Sequence, residues 1–179
     1  MKTPTIFLLL ISSFCLLLAS YKTYTAITHP IKYENEIACY AEKYSLSPSL
    51  VASIINVESS YKKNAKSSKN AIGLMQIKLS TANYVASLYN MPTLTEDELF
   101  KPKTNIEYGC MYLNYLSKKF SDTNTMLASY NAGETVVRSW LNNEEYSLNK
   151  KSLKLIPYEE TKNYVKKVNK NIKYYEKIY

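Results

Sequence analysis

SPSLVASIINVESSY, residues 47–61, is the stretch on which the reading of this chain turns. Val51, Ile54 and Ile55 precede Glu58 by seven, four and three positions, so a 3.6-residue period brings the carboxylate onto the same face as this apolar stripe. Ser47 is a natural N-cap and Pro48 a natural first helical residue, which sets where the helix starts. Desolvation penalises an ionised carboxylate on a core-facing stripe. Its pKa rises and it stays protonated near neutral pH, the state a general acid needs. For an isolated Glu the alternative is a buried side chain that caps a backbone group or pairs with a basic residue. The company Glu58 keeps downstream decides between the two.

Outward from this helix, nearly every segment has helical periodicity and the predicted class is all-α. Residues 34–44 place Ile37, Tyr40, Ala41 and Tyr44 on one side. A polar, Lys-rich loop follows from Tyr61 to Ala71, and Gly73 opens GLMQI. Further helices are expected from Ser80 to Tyr89 and from a capping box at Thr104 and Glu107, the latter with Ile106, Cys110, Leu113 and Phe120 inward. Gly109 inside that helix suggests a close backbone approach. Another helix covers Thr125 to Tyr130, breaks near Asn131 to Gly133 and resumes through Val136, Val137 and Trp140. The last spans Glu159 to Tyr179, with Tyr164, Val165, Val168, Ile172 and Tyr175 as its apolar side. No internal repeat or alternating strand pattern is visible.

At 179 residues, with 3 Gly and 6 Pro, one packed domain is expected. Lys2 followed by the apolar run Ile6 to Ala19 has the form of a signal peptide, and the run is short for a bilayer span. Ala19 and Ser20 offer a cleavage point, while Leu17 and Leu18 fit the small-residue rule poorly, so residues 1–20 are either a removed signal or a retained N-terminal anchor. Residues 21–32 form a linker and 33–179 the domain. Without residues 1–20 the chain keeps 22 basic residues against 15 acidic ones, a net charge of +7. That favours a polyanionic setting such as an envelope polymer or an anionic lipid surface. The lysines are dispersed and no binding motif accompanies them, which argues against nucleic acid. Cys39 and Cys110 could pair in an oxidising compartment or pack as small apolar groups. His29 is the one histidine, in the linker and without metal partners.

Four separated strings, read together, resemble the SLT domain of lytic transglycosylases, which has a goose-type lysozyme-like fold. They are ES at Glu58 and Ser59, GLMQI at Gly73 to Ile77, SYNAG at Ser129 to Gly133, and IPYEETKNYV at Ile156 to Val165, with NIEYGCMYL between the second and third. Each is weak alone. Their order and separations are specific, and the resemblance covers about residues 33–170. It implies an exported enzyme of the periplasm or cell envelope that cleaves the β-1,4 bond between N-acetylmuramic acid and N-acetylglucosamine in peptidoglycan. By that analogy Glu58 acts as acid and then as base, and the muramyl C6 hydroxyl closes a 1,6-anhydro end. No second carboxylate is demanded, as substrate-assisted glycosidases show, and no Asp or Glu lies between Ser59 and Thr95.

The resemblance further implies substrate contacts for Gln76, Tyr130 and Asn131, for Ser67 (with Ser68 beside it blurring the register), and for Glu160. The bland alternatives are a loop-stapling amide for Gln76, a core side chain for Tyr130, and a helix-dipole acid for Glu160. Where the family usually has Arg after ET, Lys162 keeps the charge without the bidentate fork. No metal or organic cofactor is implied. The expected partner is the peptidoglycan glycan strand, with membrane contact only through an N-terminal anchor. A hydrolytic lysozyme is one alternative. Another is a non-catalytic wall-binding or assembly factor of an envelope-spanning secretion or conjugation machine.

Overall fold

The computed structural model describes residues 3–179, with side chains from residue 10 onward; Lys2 and the side chains of residues 6–9 of the apolar run lie outside the described residues. The chain divides between Lys32 and Tyr33 into two units. The first is a single helix, α1 (Thr3–Thr28), which continues through Ser20 and most of residues 21–32. Its stretch Leu10–Thr28, of mean hydropathy 1.3, is long and apolar enough to cross a membrane by length and composition.

The second unit begins with α2 (Glu34–Lys43) and α3 (Pro48–Ser59). Ser47 caps α3 in an extended conformation, its Oγ accepting a hydrogen bond from Leu50 N at 3.1 Å, while Pro48 supplies the first turn. Val51, Ile54 and Ile55 are fully buried, and each contributes about 1.5–3 kcal/mol through removal from water. Ser60 and Tyr61, both with left-handed backbone, stop the helix directly after Glu58 and Ser59. A two-stranded antiparallel hairpin follows, β1 (Ala71–Ile72) and β2 (Ile77–Lys78), with Ile72 opposite Ile77. Strands of two residues are too short to leave an alternating pattern, which is why the sequence shows none.

Then come α4 (Leu79–Leu88), α5 (Glu96–Leu99) and α6 (Pro102–Lys119). The capping box expected at Thr104 and Glu107 is not formed. Pro102 starts α6 earlier, and Glu107 instead pairs with Lys43 of α2 at 2.7 Å. The reciprocal box sits at Thr95 and Glu98 and nucleates the short α5. Ile106, Cys110 and Leu113 point into the core, as expected, and Phe120 closes the C-terminal end of α6 there. Asp122 caps α7 (Thr123–Ala132), Gly133 at φ 97° makes the break, and α8 (Glu134–Leu141) and α9 (Glu159–Tyr175) complete the unit. Cys39 is exposed and Cys110 buried, and both thiols are free, so the pairing is not made.

Helices α3 and α9 pack along each other, joined by a hydrogen bond from Asn56 Nδ2 to Tyr175 Oη at 3.1 Å. Helix α6 runs beneath the hairpin. A Cβ on Gly109 would lie 2.3 Å from Met75 Sδ, so this glycine is the close approach its position suggested. Asn105, fully buried one turn earlier, accepts from Met75 N at 2.8 Å and donates to Ile72 O at 2.9 Å and Leu99 O at 2.8 Å.

Asn105→Ala removes three buried hydrogen bonds to the backbone, and it should lower unfolding free energy by about 2–4 kcal/mol in urea titrations. A change below about 1 kcal/mol would show that the turn closes without it.

Candidate functional site

The last turn of α3, the loop before β1, the hairpin turn, the end of α7 and the start of α9 converge on a cleft of about 500 Å3. Glu58, Ser67, Gln76, Tyr130, Asn131 and Glu160 all line it. These residues are up to 102 positions apart in the chain, and the fold brings all six to one surface.

Glu58 stands with its helix face in the core and its carboxyl at the cleft, only partly exposed. Burial raises its pKa to about 7; the nearby Tyr164 hydroxyl opposes this, and the Glu160 charge adds to it. Glu58 is therefore protonated in a large share of molecules at neutral pH. Its neighbour Ser59 is structural: the buried Oγ donates to Leu74 O at 2.7 Å and to Ile55 O at 3.1 Å, fastening the end of α3 to the hairpin turn.

Tyr130 reaches across from α7 and donates from Oη to Met75 O at 2.7 Å. Burial raises its pKa strongly, and the negative charge of Glu58 raises it further, so the phenol stays neutral beside the carboxyl. Gln76, at φ 47°, uses its Nε2 on Gly73 O at 2.9 Å and Ala65 O at 3.1 Å. The loop-stapling alternative thus describes its donor, although the side chain still borders the cleft. Ser67 Oγ accepts from Ala71 N at 3.1 Å and Lys69 N at 3.3 Å, an arrangement that folds its own loop. Ser68 beside it also lines the cleft.

Asn131 Oδ1 accepts from the buried Thr161 Oγ1 at 2.8 Å, tying α7 to α9. Glu160 lies in the first turn of α9, where the helix dipole favours an acid. Its side chain is 77% exposed, with Lys69 opposite at 3.9 Å, an ion pair of small energetic weight in water. Lys162 turns away to Glu159 at 3.3 Å. Among the described residues, no group of three His, Cys, Asp or Glu side chains is arranged to hold a metal ion.

Sequence reasoning placed Tyr164 only in the core and missed its part here. Its hydroxyl is buried, makes no hydrogen bond of ordinary length, and lies close enough to Glu58 to lower that carboxyl's pKa. Burial and the Glu58 charge keep Tyr164 itself neutral. The signal was present: Tyr164 follows Glu160 by four positions and Thr161 by three, so one helical face carries all three. Tyr112, Tyr158 and Thr81 also line the cleft and were not singled out.

A family model described as the transglycosylase SLT domain matches residues 35–154. The soluble lytic murein transglycosylase of Salmonella typhimurium is 33% identical over 142 residues, covering 78% of this chain and 22% of that protein. The membrane-bound lytic murein transglycosylase E of Buchnera aphidicola subsp. Acyrthosiphon pisum is 44% identical over 102 residues, covering 53% and 44% respectively. Among solved structures, an inactive glutamate-to-glutamine mutant of the lytic transglycosylase Slt from Pseudomonas aeruginosa superposes with a TM-score of 0.75 at 27% identity, over 86% of this chain and 25% of that one. The chain thus spans about a quarter of the length of its soluble relatives.

Because Glu58 holds its proton longer in the fold than in the unfolded chain, its contribution to stability is fully present below the unfolded value of 4.5 and is lost as pH rises to about 7. Glu58→Gln should therefore be more stable than the parent by about 1–3 kcal/mol at pH 8, with the difference vanishing near pH 4. Paired urea titrations at the two pH values check this; equal stabilities at pH 8 would mean that the carboxyl ionises without cost. Tyr164→Phe removes the opposing dipole, so the Glu58 titration followed by NMR should move upward from about 7.

Proposed function

This chain belongs to the transglycosylase SLT family, with its lysozyme-like all-α fold, and on that premise we propose that it cleaves the β-1,4 bond between N-acetylmuramic acid and N-acetylglucosamine in peptidoglycan and leaves 1,6-anhydro-muramyl ends. The observation that carries this reading is the Glu58 carboxyl, set at a cleft with its pKa raised to about 7, while Glu160, the other carboxylate at the cleft, is largely exposed. A general acid works best when its pKa lies near the operating pH, and burial supplies that match here. That the Pseudomonas relative was solved as an inactive glutamate-to-glutamine mutant supports giving the weight to one carboxyl.

In the proposed reaction Glu58 donates its proton to the glycosidic oxygen as the bond to the muramyl anomeric carbon breaks. The substrate's N-acetyl oxygen stabilises the positive charge left behind, so the protein needs no carboxylate nucleophile. Glu58, now ionised, takes the proton of the C6 hydroxyl while that oxygen bonds to the anomeric carbon. The acid is regenerated and no water is consumed. Tyr164 and Glu160 act in opposite senses on the same equilibrium, the first favouring the ionised form and the second the protonated one.

Tyr130 and Gln76 serve by position. Tyr130 clamps the hairpin turn through Met75 O beside the carboxyl, and Gln76 holds the turn closed from within. A sugar seated between Tyr130, Asn131 and the Ser67 loop has its C6 hydroxyl kept near the anomeric carbon, an effect of orientation. The positive charge of the chain suits an anionic wall polymer. The apolar α1 supports export, with that helix either removed as a signal or kept as an anchor.

Glu58→Gln should fold normally and lose about 10²–10⁴-fold in release of muropeptides from purified sacculi. Mass spectrometry of the wild-type products should show anhydro ends, one water lighter than hydrolysed ones; mainly reducing muramyl ends would make the protein a lysozyme instead. The rate should fall on the alkaline side with an apparent pKa near 7. Tyr130→Phe or Gln76→Ala should slow release about ten- to a hundredfold without switching the product.

A further inference from the structure

Helix α9 has two unlike faces. Tyr164, Val165, Val168 and Tyr175 are buried, while Lys162, Lys166, Lys170 and Lys173 follow one another at steps of four, four and three along the opposite, exposed face. By the helical rise they make a straight row about 16 Å long, and Lys177 continues it in the turn that ends the chain. Lys162 pairs with Glu159. Among the described residues, Lys166, Lys170, Lys173 and Lys177 make no ion pair. Like charges at these spacings oppose helix formation, so the row is an unfavourable feature that an anionic partner would offset.

A second feature borders the row. Asn169 Nδ2 on α9 donates to Asn124 Oδ1 at 2.8 Å, and the next residue, Thr125, accepts from Leu153 N at 3.0 Å, so the turn 146–155 lies against the same end of α7 that touches α9. That turn carries Leu148, 68% exposed, and the exposed Lys150 and Lys151. An exposed leucine among lysines fits anionic headgroups lying over hydrocarbon, where the ammonium groups meet phosphates and the apolar side chain enters between them. None of the four lysines free of ion pairs lines the cleft. A straight row on a convex helix can touch a plane along its whole length, whereas a flexible polymer is held best by a groove. The chain also brings such a plane within reach, because α1 is long and apolar enough to cross a membrane and only residues 29–32 separate it from the domain.

We infer that the lysine row of α9, together with the turn that carries Leu148, is a docking surface for an anionic phospholipid bilayer. Each lysine near such a surface strengthens the contact about fivefold, and salt screens the effect. The row leads away from Glu160 and Thr161, which line the cleft, so the cleft stays open while the row is engaged.

The test adds the full chain to preformed vesicles of phosphatidylcholine alone, or of phosphatidylcholine and phosphatidylglycerol in equal parts. The acetylation rate of each lysine is read by mass spectrometry, with folding checked by circular dichroism. The apolar α1 favours both vesicles alike, so a difference between them belongs to charge. On the mixed vesicles Lys166, Lys170 and Lys173 should react about fivefold more slowly than on the neutral ones, while the exposed Lys101 and Lys103 at the start of α6 keep one rate. Salt at about 1 M should remove the difference. In the double variant Lys166→Gln, Lys170→Gln, the remaining Lys173 should lose its protection. Equal rates on the two vesicles, protection that extends to Lys101 and Lys103, or protection of Lys173 that survives the double variant overturns the docking surface. Protection by polyphosphate or by purified sacculi, with none from the mixed vesicles, assigns the row to an envelope polymer and overturns the lipid reading. No readout uses cleavage, so the outcome is independent of Glu58 and of the function proposed above.

Discussion

The turn from Ile72 to Gln76 is held by side chains from distant parts of the chain, and the geometry of the site depends on it. Its residues are buried or nearly so, and while Gln76 satisfies Gly73 O from within, the other groups need partners from outside the turn. Asn105 of α6 bonds Ile72 O and Met75 N, Ser59 of α3 bonds Leu74 O, and Tyr130 of α7 bonds Met75 O. Three helices are thereby registered against one loop. Gly73 shows how little slack remains: at φ 74°, with a hypothetical Cβ only 2.3 Å from Asn105 Nδ2, it admits no side chain. The Met75 side chain fills the space above Gly109 in the same way, so loop and helix touch backbone to side chain.

That rigidity bears on the acid. Ser59 ties the end of α3 to the turn, and Glu58 is its immediate neighbour, so the carboxyl inherits a fixed place against α9. Burial there is large enough to bring the pKa to about 7, yet the side chain keeps an opening to the cleft. A fully enclosed carboxyl could not exchange a proton with substrate, and a fully exposed one would be ionised at neutral pH. The Tyr164 hydroxyl, buried beside Glu58 without a hydrogen bond of ordinary length, is the counterpart of this compromise. A polar group left without an ordinary hydrogen bond costs stability, and its place beside a titrating acid gives it a use.

The tyrosines illustrate what composition cannot say. Eighteen are scattered along the chain without a pattern, and six of them are buried in the core. Tyr84, Tyr112, Tyr115 and Tyr130 come from α4, α6 and α7, and only helix packing lines them up as one row at the edge of the cleft. Tyr112 and Tyr115 lie three positions apart on α6 and share a face of that helix, whereas Tyr84 and Tyr130 are brought to them by other helices.

The sequence by itself determined the helices with strong local signals and the helix face on which Glu58 stands. Ser47 and Pro48 set the start of α3, the 3.6-residue spacing set the face of Glu58, and Gly133 set the break between α7 and α8. These features rest on interactions within a few residues, so they can be read one turn at a time. Where two local signals competed, the reading failed: Pro102 began α6 in place of the Thr104 and Glu107 box, because Glu107 found a better partner in Lys43, 64 positions away. Only the tertiary structure decided what the carboxyl experiences. The approach of Tyr164 and Glu160 to Glu58 and the burial that raises its pKa arise between segments far apart in the chain. A pKa depends on distances through space, and those exist only once the helices have packed.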